Sequence, residues 1–460
     1  MVTERTKTAK RQARRASRFY AGIAGAQPRE GMKVTKMILS SPNKLPCKRA
    51  TVRLGMPLAA MLVLFGGLAT QTSAPAASPA IPRNSQIVAQ LGKREVLLGL
   101  NQKRPKNPNV TAASSASTFL PQKQRGLPAG PLKYFPDGCM AFLQMAPGYR
   151  ILLAAGTSTW LVEGADLRSL SPTAEVLQPG PPGAFDNGYA GIGGAVLETG
   201  SHEWLALYHA EDQEGMKAIP GGIPGFYCSV ALATSYDDGR SFRKVGPVIT
   251  SPLPKDPHGH ADQGCGEPCM LLSHNGAYYY AYYTSHSRAD GRGVQICLAR
   301  SRETDRGVPG TWFKYYEHLF EEPGLGGRDT PVMSAAAMKG DALFPQVTYL
   351  PALGAYIMVF NIHVYRELTA DGEPQESGIY AAWSADGIRW SPPVQLVRIR
   401  VLPLLGREIG WHPTLLVTSR GSHSVQGWLL YAYSEQWGHR PPQKPHYLVG
   451  QPIRLSIVQK

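Results

Sequence analysis

The sequence predicts an all-β chain: a five-bladed β-propeller preceded by a signal-like segment and a flexible linker. Three observations predict it. Glycine and proline are abundant, 49 and 39 of 460 residues, and only 18% of residues are charged, a composition that favours short strands and many turns over long helices. From about residue 130 onward, apolar residues alternate in short runs broken by Gly, Asn and Asp, the period of half-buried strands. Those runs recur as five copies of one pattern, the signature of a repeat architecture.

The N-terminal elements come first. Residues 1–54 hold 14 Lys/Arg and 2 Asp/Glu, leaving 34 and 31 for residues 55–460. The net charge of +15 therefore divides into +12 for a basic leader and +3 for everything after it. The body carries no basic stripe for a phosphate backbone, which argues against a nucleic-acid partner. Residues 55–72 contain the apolar run "LGMPLAAMLVLFGGLA", which begins at Leu54, follows "KLPCKRATVR" and precedes "TQTSAPAASPA". Positive, apolar and small-residue segments in that order read as a secretory signal. The run falls short of the ~20 apolar residues a membrane span needs, so a membrane is a partner only if the segment stays uncleaved. The expected location is secreted or periplasmic, and Met37 is an alternative start that leaves a short basic region. Residues 73–128 are Ala/Ser/Pro/Asn-rich and read as a flexible linker with one short ordered piece at "EVLLGL".

Residues 129–460 form the repeated domain. Each copy has an apolar strand, a turn, an aromatic strand and a third strand. Examples are "GGAVLETGSHEWLALYHAE" with "CSVALATSYDDGRSF", and "GEPCMLLSHNGAYYYAYYTS" with "VQICLARS". The third strands begin near 158, 229, 294, 378 and 446. Small antiparallel sheets of this kind cannot bury both faces alone, and stacking them radially around an axis covers them. A β-sandwich or two separate β-domains is the other arrangement the pattern allows. "SYDDGRSF" matches the sialidase Asp-box, Ser-x-Asp-x-Gly-x-x-aromatic, and "SADGIRW" is a shortened version. An Asp side chain there caps a tight turn, so Asp237, Gly239 and Asp386 are read as structural.

Cysteine use is sparse: one in the leader, then Cys139, Cys228, Cys265, Cys269 and Cys297. No CxxC pair occurs, which argues against zinc. Cys265 and Cys269 are spaced to bridge around Glu267, though nothing in the sequence establishes the bond.

In a propeller, residues that open the first strands converge on an axial cleft. Asp137, Asp186, Glu267, the "LFP" of 343–345 and His412 occupy such positions, and Glu211 closes a second strand. Paired carboxylates across a sugar-sized cleft are what glycoside hydrolysis needs, with burial or a neighbouring acid holding the donor protonated. Trp204, Tyr208, Tyr282, Trp411 and Trp437 lie near strand ends, where rings stack on sugar faces or simply pack the core. Each candidate also has a plain structural reading: a strand-end acid for Glu267, turn formers for Asp137 and Asp186, a hydrogen-bonded core histidine for His412, and an ion pair for Arg328 or Asp329.

"EPCMLLSHNGAYYYAYYTS" resembles the third-blade motif of glycoside hydrolase family 43 and its five-bladed, family 32-like relatives, and "WHPTLL" followed by "GWLLYAYSE" is similar to their fifth blade. The resemblance extends over 130–460 in architecture and over these two motifs in detail. It implies Glu267 as general acid, Asp137 as base or nucleophile, and Asp186 as the residue that tunes and orients the acid. Glu211 is an alternative to Asp186. His412, Trp411, Glu211 and Arg328 are then substrate-binding candidates. No cofactor is required, with an axial calcium ion or a water beside His412. The implied function is hydrolysis of poly- or oligosaccharides by a monomer. A non-catalytic carbohydrate-binding propeller and a sialidase-like enzyme are the alternatives.

Overall fold

The structure is a computed structural model that describes residues 85–98, 136–144, 147–198, 200–218, 224–286, 293–364, 377–399, 401–402, 406–421, 424–437 and 447–459. All of them belong to the second of two compact units, Ser73–Lys460. The basic leader, the apolar segment and Met37 lie outside the described residues.

The described chain is all-β. It enters with β1 (Ser85–Leu91) and β2 (Glu95–Leu98). A first antiparallel group follows: β3 (Ala141–Gln144), β4 (Tyr149–Ala155), β5 (Ser158–Gly164) and β6 (Ser171–Leu177). The second is β7 (Tyr189–Glu198), β8 (Glu203–Asp212), β9 (Phe226–Ser235) and β10 (Arg243–Ile249). The third is β11 (Asp262–Leu272), β12 (Tyr278–Ser285), β13 (Gln295–Arg302), β14 (Phe313–Tyr316) and β15 (Leu319–Pro323). The fourth is β16 (Gly340–Leu350), β17 (Ala355–Val364), β18 (Gly378–Ser384) and β19 (Val394–Arg398). The last is β20 (Val401–Leu402), β21 (Gly406–Arg420), β22 (Ser424–Trp437) and β23 (Tyr447–Gln459). The third strands of the repeat start at 158, 226, 295, 378 and 447.

The linker reading needs correction over 85–98. β1 pairs antiparallel with β23 from Ser85↔Gln459 to Leu91↔Ile453, and β2 pairs with the start of β23. β1 and β2 are thus part of the last sheet, and the alternation in "SQIVAQL" that buries Ile87 is a strand signal inside a Ser/Ala-rich stretch.

Among the described residues, five apolar cores lie between successive groups. Leu152, Leu161, Tyr208 and Ala231 join the first to the second; Leu207, Leu232, Tyr283 and Trp312 join the second to the third. Tyr282, Ile296, Met358 and Phe360 join the third to the fourth; Ile357, Trp383, Leu415 and Tyr431 join the fourth to the last. The fifth core packs Leu416, Leu430 and Leu448 of the last group on Met140, Ile151 and Leu153 of the first, so the series closes on itself in a propeller-like ring. This ring explains the tyrosines of β12. Tyr280 and Tyr282 enter one core, Tyr279 and Tyr283 the other, because alternate residues point to opposite faces. Their hydroxyls find partners: Tyr282 donates to Gly387 O at 2.6 Å and Tyr283 to Asp329 Oδ2 at 3.1 Å.

Cys265 and Cys269 do not bridge. All five described cysteines are free and buried. Cys265 packs into the core before β11 and Cys269 into the core after it, on opposite faces of the sheet. The turns at Ser235 and Ser384 are built alike: Asp237 Oδ1 accepts from Ser235 Oγ and Ser241 N, and Asp386 Oδ1 from Ser384 Oγ and Ile388 N.

Candidate active site

The site arises where the innermost strands break register. Pairing slips between Gly266 and Cys269 in β11, Leu343 and Gln346 in β16, and Trp411 and Thr414 in β21. Each slip holds an X-Pro pair: Glu267-Pro268, Phe344-Pro345 and His412-Pro413. Proline has no N–H for the ladder and is tolerated at bulges. The residue before each proline has φ near +55° (53°, 59° and 54°), a left-handed conformation that is uncommon for a side-chain-bearing residue and costs of order 1–3 kcal/mol. The three side chains gather together. The Phe344 and His412 rings lie 4.1 Å apart, and His412 feels the charge of Glu267. Trp411 packs beside them, 6.2 Å from the His363 ring.

The second group completes the cluster. His209 Nδ1 accepts the Glu267 backbone N–H at 2.9 Å, and its Nε2 faces Glu211 Oε1 at 3.2 Å. Because Nδ1 accepts, the ring's proton resides on Nε2, which donates to Glu211. Gln213 Nε2 donates to the other Glu211 oxygen at 2.5 Å. Gly266 makes room for the imidazole: a Cβ there would stand 2.1 Å from His209 Nδ1. β11 also pairs in parallel with β9 over Asp262–Gly264, where Gly264, at φ +96°, lies so close to Cys228 that a Cβ would meet its carbonyl oxygen at 2.1 Å. Tyr189 joins Asp137 to this cluster. Its hydroxyl donates to the Asp137 carbonyl, and the charges of Asp137, Glu211 and Glu267 act on its ring after burial has already pushed the phenol up.

His286, at the end of β12, stands between two acids. Its Nδ1 is 3.4 Å from Asp262 Oδ2 and its Nε2 is 3.7 Å from Glu267 Oε1. Burial alone would push this imidazole down, but the Asp262 hydrogen bond and the charges of Glu267 and Asp262 prevail and raise it to about 9. The same contacts act on Glu267. Burial pushes its carboxyl up; His286, His209 and Thr284 together bring it below its ordinary value. Glu267 is therefore an ionised carboxylate at neutral pH. This corrects the expectation that its surroundings hold it protonated, which left out two histidines distant in sequence. His412 behaves oppositely: burial pushes it down to about 4, so its ring is neutral.

A cavity of about 390 Å³ opens beside His286, lined also by Tyr227, Ser251, Asp256, His260 and Gln263. Gln263 fixes the connection before β11, accepting from Asp256 N and donating to the His260 carbonyl. A second cavity of about 360 Å³ touches the inner strands of all five groups, through Met140, Gly194, Cys269, Val347 and Leu415.

The structure thus brings together Glu267, Glu211, Asp137, His412 and Trp411. It does not bring Asp186 or Arg328 to them. Asp186 Oδ2 pairs with Lys244 Nζ at 2.5 Å and accepts from Tyr208 at 3.1 Å, so this buried acid anchors β8 and β10. Arg328 pairs with Glu322 and reaches Tyr316 on the outermost hairpin, β14–β15, and Asp329 pairs with buried Lys314. Trp204, Tyr208 and Tyr282 are core; the Trp437 side chain lies outside the described residues. Sequence reasoning missed His209, Tyr189, Asp262 and His286. Asp262 lies five residues before Glu267 on the same strand, and "TSH" ends β12 directly beside it, so hairpin register alone could have pointed to both.

The donors around His412 bear on the expected ion. His412 Nδ1 is buried without a hydrogen-bond partner, so a polar atom belongs beside it. Calcium takes six to eight oxygen ligands, whereas this ring offers a nitrogen and packs on Phe344. Among the described residues no group of three or more His, Cys, Asp or Glu is arranged to hold a metal.

No protein-family model matches the chain, and no curated protein matches it. Similar solved structures include a thermostable family-43 glycoside hydrolase, 12% identical, covering 70% of this chain and 88% of that one with a TM-score of 0.42. A family 117 glycoside hydrolase of the marine bacterium Zobellia galactanivorans is 12% identical, covering 81% and 90%, with a TM-score of 0.43. An N-acetylgalactosamine deacetylase from F. plautii, crystallised with blood group B trisaccharide, is 10% identical, covering 79% and 95%, with a TM-score of 0.46.

Proposed function

We propose that this chain is an exported five-bladed β-propeller that hydrolyses glycosidic bonds of poly- or oligosaccharides, with the chemistry done where the inner strands converge. One observation carries the reading. His209 ties the backbone of Glu267 to the side chain of Glu211, so two carboxylates from neighbouring strand groups are held in fixed relation. Glu211, which receives two hydrogen bonds, is an acceptor suited to take a proton from water, and Asp137 stands near on the other side of Tyr189. Glu267 and His286 form the acid side. Trp411 and Phe344 supply rings for sugar C–H faces. Glu211 takes the place first given to Asp186. The chain acts without a cofactor, as a monomer, with a water at His412.

The test is hydrolysis of aryl glycosides and of plant and microbial polysaccharides by the full chain, with Glu267→Gln and Glu211→Gln alongside. Turnover that falls by 10²-fold or more in both variants supports the reading, as expected for loss of acid–base groups. Turnover untouched by either overturns it. Sugar binding without turnover in the parent transfers the assignment to a carbohydrate-binding propeller.

A further inference from the structure

We propose that His286 is the proton donor of this site, and that Asp262 and Glu267 are there to hold its charge. The inference rests on the hydrolase reading and departs from it in the identity of the acid. The side chain of His286 is 7% exposed and lines the 390 Å³ cavity. Its two nitrogens have different surroundings. Nδ1 faces Asp262 Oδ2 at 3.4 Å, the arrangement in which a carboxylate orients an imidazole and fixes its tautomer. Nε2 is buried with no hydrogen-bond partner, because Glu267 Oε1 stands at 3.7 Å, within ion-pair range but beyond a hydrogen bond. Glu267 Oε2 is likewise buried and unpartnered. A polar N–H and a carboxylate oxygen left open at one place are groups kept for something that enters the cavity. The Phe226 ring meets the imidazole edge-on at 5.8 Å and restrains its tilt.

Among the described residues, the titratable groups near His286 lie on β11, on β9 and on the connection before β11. Asp262 and Glu267 lie on β11; Tyr227 follows Phe226 on β9; Asp256 and His260 lie on the connection between β10 and β11. Among the described residues the acids near His286 outnumber the cations, and with Asp262 and Glu267 both facing it an imidazolium is the favoured form at neutral pH, whereas Glu267, facing that imidazolium, is a poor acid. In the step, His286 Nε2–H gives its proton to the glycosidic oxygen as the C–O bond breaks, and the bonding pair stays on that oxygen. Water adds to the sugar carbon and passes its proton to a carboxylate, Glu211 or Asp137. The neutral imidazole then takes a proton from solvent and the carboxylic acid releases one. Only water is consumed.

The experiment uses the full-length protein with ¹⁵N-labelled histidine, the variants His286→Gln, Glu267→Gln and Asp262→Asn, and a series of aryl glycosides whose leaving groups span good to poor. The expected NMR result is a histidine signal, absent from His286→Gln, that remains doubly protonated at pH 8 and titrates at least one pH unit lower in Glu267→Gln or Asp262→Asn. The expected kinetic result is a 10²-fold or larger loss in His286→Gln on poor leaving groups and under 10-fold on dinitrophenyl glycosides, which need no acid. The alkaline limb of kcat/KM should track the NMR titration in each variant. The proposal is overturned if Glu267→Gln, and not His286→Gln, acquires the leaving-group dependence, or if His286 is neutral at pH 7 in the parent. If no glycoside is hydrolysed by the parent, the hydrolase reading falls by itself; the titration then decides whether His286 is a charged acid at the cavity. If His286→Gln does not fold, Asp262→Asn carries the same test through the shifted alkaline limb.

Discussion

Asp186→Ala separates an architectural acid from a chemical one. Asp186 is 1% exposed and holds three groups: its side chain meets Lys244 Nζ at 2.5 Å and the Tyr208 hydroxyl at 3.1 Å, and its carbonyl accepts from Gly180 at 2.9 Å. The alanine keeps the backbone bond. It leaves the wholly buried Tyr208 hydroxyl without an acceptor, which costs about 1–3 kcal/mol. Lys244, with 29% of its side chain exposed, turns toward water, so the lost ion pair adds about 1 kcal/mol. The expected destabilisation is about 2–4 kcal/mol, read from urea unfolding. Asp186→Asn retains an acceptor for Tyr208 and should cost about 1 kcal/mol. Tyr208→Phe in the Asp186→Ala background should recover about 1–2 kcal/mol, because no buried donor is then left unpaired. Folded Asp186→Ala should bind and turn over sugar as the parent does. An unchanged urea midpoint together with lost turnover would refute this argument and return Asp186 to the reaction.

Three further outcomes are expected. A chain beginning at 129 lacks β1 and β2, so the edge of β23 that β1 covers over Ser85–Leu91 is exposed; it should aggregate or melt well below a chain beginning at 85, by thermal unfolding and light scattering. Gly266→Ala puts a methyl where His209 Nδ1 lies, and should displace the histidine and reduce turnover at least 10-fold while leaving the far-UV spectrum unchanged. Stability should also respond to pH through two histidines. His286, raised from about 6.5 unfolded to about 9 folded, contributes on the order of 3 kcal/mol below pH 6.5, lost as pH rises through 9, and His286→Gln should flatten that decline. His412, lowered to about 4, has the opposite sign: stability falls as pH drops from 6.5 toward 4, and His412→Gln should remove that fall.

Most of the scaffold was legible because its determinants are local. Period-2 runs and turn residues located the third strands to within three residues, since a strand buried on both faces, such as "YYYAYYTS", reads unmistakably. β1 was masked by composition: Ile87 is the one buried residue in a polar strand at the edge of its sheet, and edge strands carry a weak pattern. The site was half legible. Glu267 and His412 announce themselves through the following proline. His209 and His286 do not, because nothing in "YHAED" or "TSH" shows that strand register sets both imidazoles against Glu267. Asp186 misled for the complementary reason. An Asp-Asn-Gly stretch before a strand suggests a cleft residue, and only the distant Lys244 shows where its charge is spent.

The bulge at Glu267 links fold to chemistry in a way the other two do not. A slip in register frees a backbone N–H that the ladder would have used, and a buried N–H needs a partner. At Phe344 the partner is Thr284 Oγ1 of the adjoining sheet. At Glu267 it is His209, whose second nitrogen is thereby committed to Glu211. The left-handed backbone of Glu267 and the tautomer of His209 thus hold one another in place, and both depend on the parallel pairing of β9 with β11 that joins two sheets into one. Loss of that pairing should release Glu267 and Glu211 together. The rings contributed by the fourth and last groups, Phe344, Trp411 and His412, answer to bulges of their own, so a change there should alter sugar affinity while the alkaline limb of the pH profile stays where Asp262 and Glu267 set it.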